Sequence, residues 1–236
     1  MMVFPTLKGR YPWMKIVSSD LNQSIFTSER ILAKIFDADK KITLALKENG
    51  VISEAPNLQP PLSFPLDIPV HEGSILDLGK GTKMRFLEIP GHSPDCVGAY
   101  IEAEGALFCS DGAGFYIPPN FFRPNYWYRL DEAKRSLDKM IAIDPEILCR
   151  GHYGTATGQE VVRKHLEMSR QCIEDFEAFF LEKVNNGWSV EKIAQDVDVR
   201  FSKGFLELFP AEENYRLWKL LVLRTLEHFG IEMEER

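Results

Sequence analysis

Three short stretches each set one metal-capable side chain directly behind an apolar, strand-like run: Ile89-Pro90-Gly91-His92-Ser93-Pro94, Phe108-Cys109-Ser110-Asp111-Gly112 and Ile147-Leu148-Cys149-Arg150-Gly151-His152-Tyr153-Gly154. Neutral imidazole and carboxylate are ligands that zinc, iron and manganese accept. A ligand at the C-terminal end of a strand is held rigidly while it faces an open crevice. Gly91, Gly112 and Gly151 let the backbone turn tightly beside each ligand. His92, Asp111 and His152 are thus the candidate donors of a metal centre at one sheet edge.

The order Pro-Gly-His-Ser-Pro, then Ser-Asp-Gly, then Gly-His-Tyr-Gly about forty residues on, resembles the second half of the metallo-β-lactamase superfamily, which includes glyoxalase II-like thioesterases and lactonases. The resemblance implies that His92 serves one metal, His152 a second, and Asp111 bridges the two. It implies a metal-dependent hydrolase of thioester, lactone or related acyl bonds, with zinc, or iron or manganese, as cofactor. Two such metals would hold a hydroxide and lower its pKa toward neutrality.

The family's first metal motif, His-x-His-x-Asp-His, is not found. It would lie upstream of Tyr11-Pro12-Trp13-Met14-Lys15-Ile16-Val17, and none of the ten residues before Tyr11 is a histidine. His71, in Pro69-Val70-His71-Glu72-Gly73, reads as a surface turn. The expected fold is therefore a metallo-β-lactamase-like αββα sandwich, N-terminally incomplete, with a C-terminal helical extension. With one private ligand per metal and one shared carboxylate, metal binding and turnover are expected to be impaired. The alternative is a non-catalytic domain of the same fold, used for ligand binding or subunit contact.

The stretch from Phe115 to Tyr128 carries seven aromatics and three prolines, which makes a stiff loop with much apolar surface. Its rings fill the domain's own core, wall a pocket for an apolar or aromatic small-molecule substrate, or form an interface patch. On the second reading Phe115, Tyr116, Tyr126 and, beside His152, Tyr153 contact substrate. Arg123 then meets a carboxylate bidentately, with Arg150 a second candidate.

The elements that must position these groups alternate as in a layered α/β protein. Lys15 to Ser19 reads as a strand and Leu21 to Glu48 as one long helical stretch, ended by Asn49-Gly50. Five prolines between Pro56 and Pro69 exclude a helix or central strand and leave a crossing loop with one short edge strand. Strands follow at Lys83 to Ile89, Val97 to Ile101 and Ala106 to Ser110, then a helix from Asp131 to Ile143 and a strand from Ile147 to Arg150. Residues 1–157 form the expected α/β domain.

Residues 158–236 form the expected helical region. Gln159 to Val184 is one long helix, Ser189 caps Val190 to Val197, and Ala211 to Phe229 makes the last helix. Leu217, Trp218, Leu221, Val222 and Leu226 fall on one apolar stripe, and the helical region is suited to packing on the main domain, to a homodimer contact or to walling the substrate pocket.

A net charge of -7 argues against nucleic acid. No apolar run approaches the length that spans a bilayer, and the N-terminus has no signal pattern, so a cytoplasmic protein without a membrane partner is expected. Cys96, Cys109, Cys149 and Cys172 are spread singly, as buried thiols of a reducing compartment are. Cys109 and Cys149 stand near two proposed ligands and are minor candidates as soft donors.

Overall fold

The computed structural model describes residues 4–55 and 63–232. The chain divides into two compact units: residues 1–70 with 204–214, and residues 71–203 with 215–236. The expected division at residue 157 is not where these units part. Residues 158–203 and 215–236 group with the sheet that carries the candidate ligands.

The first unit holds α1 (Phe4–Arg10), β1 (Val17–Ser19), α2 (Asn22–Phe26), α3 (Glu29–Glu48) and β2 (Ile68–Val70). β1 and β2 pair in parallel, Val17 opposite Ile68. The single helix expected from Leu21 to Glu48 is two: Ser28 takes an extended conformation and its hydroxyl accepts the Ile31 N–H, which starts α3 afresh. Asp67 ties the unit together, accepting from the Ile16 backbone N–H at 2.7 Å and from Lys8 at 3.0 Å. Part of the proline-rich crossing, residues 56–62, lies outside the described residues. The expected edge strand beyond it is β2.

The second unit is built on a six-stranded mixed sheet. Its strands are β3 (Ile75–Gly79), β4 (Thr82–Glu88), β5 (Val97–Ile101), β6 (Ala106–Ser110), β9 (Ile147–Arg150) and β10 (Thr155–Thr157), in the order β10-β9-β6-β5-β4-β3. Only β6 and β9 run parallel, and the connection between them holds a hairpin of β7 (Phe115–Ile117) and β8 (Phe121–Arg123), then α4 (Leu130–Ile143). The parallel pair brings the C-terminal ends of β6 and β9 side by side. Asp111 and His152 emerge there.

Burial explains the strand pattern. Along β6, Leu107 and Cys109 are buried while Phe108 and Ser110 point the other way, the period-two alternation of a sheet with two different faces. Leu148 of β9, Phe86 and Leu87 of β4, and Ile89 are also buried. α5 (Gln159–Asn185), α6 (Val190–Phe201) and α7 (Ala211–Phe229) complete the helical set; residues 211–214 of α7 group with the first unit. The predicted stripe on α7 is buried at Trp218, Leu221, Val222 and Leu226. Burying four large side chains of this kind is worth about 1.5–3 kcal/mol apiece relative to exposure. They pack on the aromatic stretch after Asp111: Trp127 meets Trp218 at 5.7 Å between ring centroids.

β3, β10 and the β7–β8 hairpin were not expected from the sequence. Residues 115–123 read as loop because of Pro118 and Pro119, which instead sit in the turn that joins β7 to β8. No helix of the described residues is long and apolar enough to cross a membrane.

Candidate metal centre

The three ligands expected from the sequence converge. Asp111 faces both histidines, one carboxylate oxygen toward each: His152 Nε2 lies 3.4 Å from Oδ1, and His92 Nε2 lies 3.9 Å from Oδ2. Three elements far apart in the chain thus deliver donors to one point.

Backbone conformation does much of the aiming. The β6–β9 register shifts between Phe108 and Ser110, and Ser110 has φ 47°, a left-handed conformation that a non-glycine residue rarely holds. Such strain is kept where the surroundings over-determine it. Here it turns the chain so that Asp111 leaves the strand toward the neighbouring Gly151, whose N–H donates to the Ser110 carbonyl at 3.0 Å. A Cβ on Gly151 would stand 3.1 Å from Asp111 Oδ1. Glycine is what lets the His152 loop pass so close to the carboxylate.

The His92 turn is fixed from the other side. Gly91 has φ 137°, and a Cβ there would lie 2.5 Å from Ala133 Cα on α4. Its carbonyl accepts the N–H groups of Tyr128 and Arg129, and the His92 carbonyl accepts that of Trp127. The His92 ring then points Nδ1 at the Asn125 carbonyl, 3.2 Å away. With the proton on Nδ1, Nε2 is the lone-pair nitrogen, and it is the one turned to Asp111. This is the carbonyl-oriented arrangement seen behind metal-binding histidines. Asn125 also donates through Nδ2 to the Asp111 carbonyl at 3.3 Å, so one side chain and its own backbone steady two of the three donors. Sequence reasoning missed Asn125, since nothing about an Asn in an aromatic loop marks it.

The expected substrate contacts separate into three groups. Phe115 is buried and its ring stands 5.1 Å from that of His152, so it braces the ligand. Tyr153 is exposed at the mouth, edge-on to Phe115 at 6.1 Å, and Tyr116 is half-buried beside it in sequence with its hydroxyl donated to the Pro119 carbonyl. Tyr126 must be corrected: it is fully buried, and its hydroxyl pairs with Thr225 Oγ1 at 2.9 Å, so it is core rather than pocket wall. Arg123 is also interior, 5% exposed, with its guanidinium 3.9 Å from the Phe115 ring centroid and 5.1 Å from that of Trp218. Its Nε and Nη1 find no hydrogen-bond partner among the described residues. Burial pushes its pKa down to about 10, opposed by the charge of Asp111. A bidentate grip on substrate through those two atoms is closed off, because neither is solvent-accessible.

Of the cysteines, Cys109 is buried, and Cys96, Cys149 and Cys172 are half-buried. Cys109 is fully buried and its thiol is pushed up to about 12 by burial, which removes the thiolate a soft donor needs. Burial also raises Cys96. His71 lies in an exposed turn, as expected.

The donor set fits a metal in kind and orientation but not in number. Ligand atoms about 2.1 Å from a tetrahedral ion stand roughly 3.4 Å apart, the separation of His152 Nε2 and Asp111 Oδ1. Each position nevertheless has one imidazole and one shared carboxylate oxygen, and no group of three or more His, Cys, Asp or Glu among the described residues is disposed to hold an ion alone.

No family model matches the sequence, and comparison with curated proteins yields no relative. Solved structures do resemble it. A metallo-β-lactamase family protein from Thermus thermophilus superposes with TM-score 0.57 at 20% identity, covering 95% of this chain and 70% of its own. An archaeal metallo-β-lactamase superfamily protein from Sulfolobus tokodaii gives TM-score 0.51 at 23% identity over 70% of this chain. A stereoselective inverting sec-alkylsulfatase from a Pseudomonas species gives 0.57 at 17% identity over 95%. This chain spans 61% of the archaeal protein and 38% of the sulfatase. The sheet that joins β6 to β9 in parallel and places Asp111 at its edge is thus the sheet of a mixed α/β protein with the metallo-β-lactamase fold, extended by C-terminal helices.

Proposed function

We propose that this chain carries one half of a dinuclear hydrolase site, with His92 and His152 each serving one metal position and Asp111 shared between them. The observation that carries the reading is the split of the Asp111 carboxylate, Oδ2 toward His92 and Oδ1 toward His152. A carboxylate hydrogen-bonded to a single partner would have no reason to divide in this way. When bound, such metals supply a water of lowered pKa and a Lewis acid for the scissile carbonyl.

The protein's own residues do the rest of the work. His92 and His152 present ring nitrogens to Asp111, the Asn125 carbonyl orients the His92 ring through Nδ1, and the Phe115 ring packs beside that of His152. The open side of the site, past Tyr153, admits a small-molecule substrate with an acyl bond, a thioester or lactone in the glyoxalase II-like pattern. Because two protein donors per metal fall short of the usual three, turnover by these residues alone is low. The similarity of the sulfatase makes sulfate esters worth including in a substrate panel.

The test is hydrolysis of a panel of thioesters, lactones and alkyl sulfates by the full chain with added zinc, iron or manganese. The reading expects slow, metal-dependent turnover of at least one acyl substrate that Asp111→Ala removes. Turnover that persists in Asp111→Ala, or that is indifferent to chelator, would contradict it.

A further inference from the structure

A second groove, which none of His92, Asp111 and His152 lines, has the chemistry of a ligand site. It encloses about 450 Å³ between the β7–β8 hairpin, β10 and α5. We propose that this groove, formed chiefly by Tyr116, Phe122, Arg150, Lys164 and His165, binds a small organic anion: a flat apolar body carrying a carboxylate or phosphate head. It goes beyond the hydrolase reading and does not depend on it.

Charge is the first argument. The chain carries a net charge of -7, yet the groove is lined by Arg150 and Lys164 and by no acidic residue. Lys164 is exposed and makes no hydrogen bond or ion pair among the described residues. Glu160 and Glu167, four and three residues from it on α5, act on Arg163 as well and make no ion pair with Lys164 among the described residues. Arg150 donates Nε to the Gly154 carbonyl at 3.1 Å and Nη2 to that of Tyr153 at 2.9 Å, which leaves Nη1 uncommitted. Two cations without counter-ions, converging on one concavity, attract an anion.

The second argument is a buried polar group. His165 is only 8% exposed and lines the groove; its ring nitrogens make no hydrogen bond to the described residues, yet they are not among the fully enclosed atoms left without a partner, so they are open to a ligand in the groove. A ligand group in the groove can replace water as the partner of such a nitrogen. Burial, with the charge of Arg150, pushes its pKa down to about 4, so at neutral pH the ring is uncharged and keeps one N–H to donate.

The third argument is shape. The Tyr116 and Phe122 rings stand 5.0 Å apart and meet His165 at 5.2 and 4.9 Å, a three-ring wall with Arg150 stacked 4.7 Å from the Tyr116 centroid. Thr155 and Thr157 line the opposite rim. These rings offer an apolar aromatic body edge and face contacts, and an anionic head suits the cations at the edge.

The experiment is calorimetric titration of the full chain with benzoate and phenyl phosphate, against benzyl alcohol as the neutral control. The proposal expects saturable one-to-one binding of at least one anion, at least tenfold tighter than benzyl alcohol, and weakened at least fivefold by Lys164→Ala. Lys164 contacts nothing that folding needs, so that variant reports on the ligand alone. Binding should persist in Asp111→Ala, which separates this groove from the metal centre. Equal binding of benzyl alcohol, an unchanged affinity in Lys164→Ala, or loss of binding in Asp111→Ala would overturn it.

Discussion

His152 Nε2 stands 3.4 Å from Asp111 Oδ1 beside Gly151, where a Cβ would come 3.1 Å from that same oxygen and from the Ser110 carbonyl carbon. The close approach is local and separable from the stability of the fold. Gly151→Ala is expected to weaken binding of cobalt(II) by about tenfold or more, the scale on which misplaced supporting groups act, while the thermal midpoint changes little. A thermal shift assay beside a cobalt titration distinguishes the two effects.

Gly91 presents the opposite case. A Cβ there would meet the backbone of Ala133 at 2.5 Å in a φ of 137°, so overpacking and backbone strain act together. Gly91→Ala is expected to destabilise the second unit by about 2–4 kcal/mol, as urea unfolding would measure.

The convergence of His92, Asp111 and His152 was legible because its signals are local. Each of these candidate donors follows an apolar run and sits beside a glycine, so strand, turn and donor are read together. β5 and β6 occupy Val97–Ile101 and Ala106–Ser110 and β9 occupies Ile147–Arg150, as their apolar patterns predict. The reading failed where tertiary contacts decide. Nothing local distinguishes Tyr126, which pairs with Thr225, from Tyr116 in the same aromatic stretch, because Thr225 is 99 residues away. The β7–β8 hairpin was hidden by prolines that its turn accommodates, and the break between α2 and α3 rests on one capping serine.

Tyr126→Phe follows from that pairing. Removing the hydroxyl leaves Thr225 Oγ1 still donating to the Leu221 carbonyl at 2.7 Å, so the loss is one buried hydrogen bond, about 1 kcal/mol. Metal binding should be unaffected. Chemical unfolding and a metal titration of the same variant check both halves.

The stability of the protein should fall in acid through His165. Its folded pKa is about 4 against an ordinary 6.5, so the folded state favours the neutral ring. The unfolded chain takes up the proton first as pH falls, and stability that is full above about pH 6.5 is lost progressively down to about pH 4. The ceiling on this effect is on the order of 3 kcal/mol. His165→Phe should flatten that part of the stability profile, as urea midpoints taken between pH 7 and pH 4 would reveal.

Metal stoichiometry of the full chain tests the half-site most directly. Cobalt(II) titration followed by visible absorption should show weak binding, abolished by Asp111→Ala because both positions lose their shared carboxylate, and reduced but not abolished by His92→Ala or His152→Ala alone. Tight, stoichiometric cobalt retained in Asp111→Ala would contradict the account, since a carboxylate that bridges two positions cannot be dispensable to both.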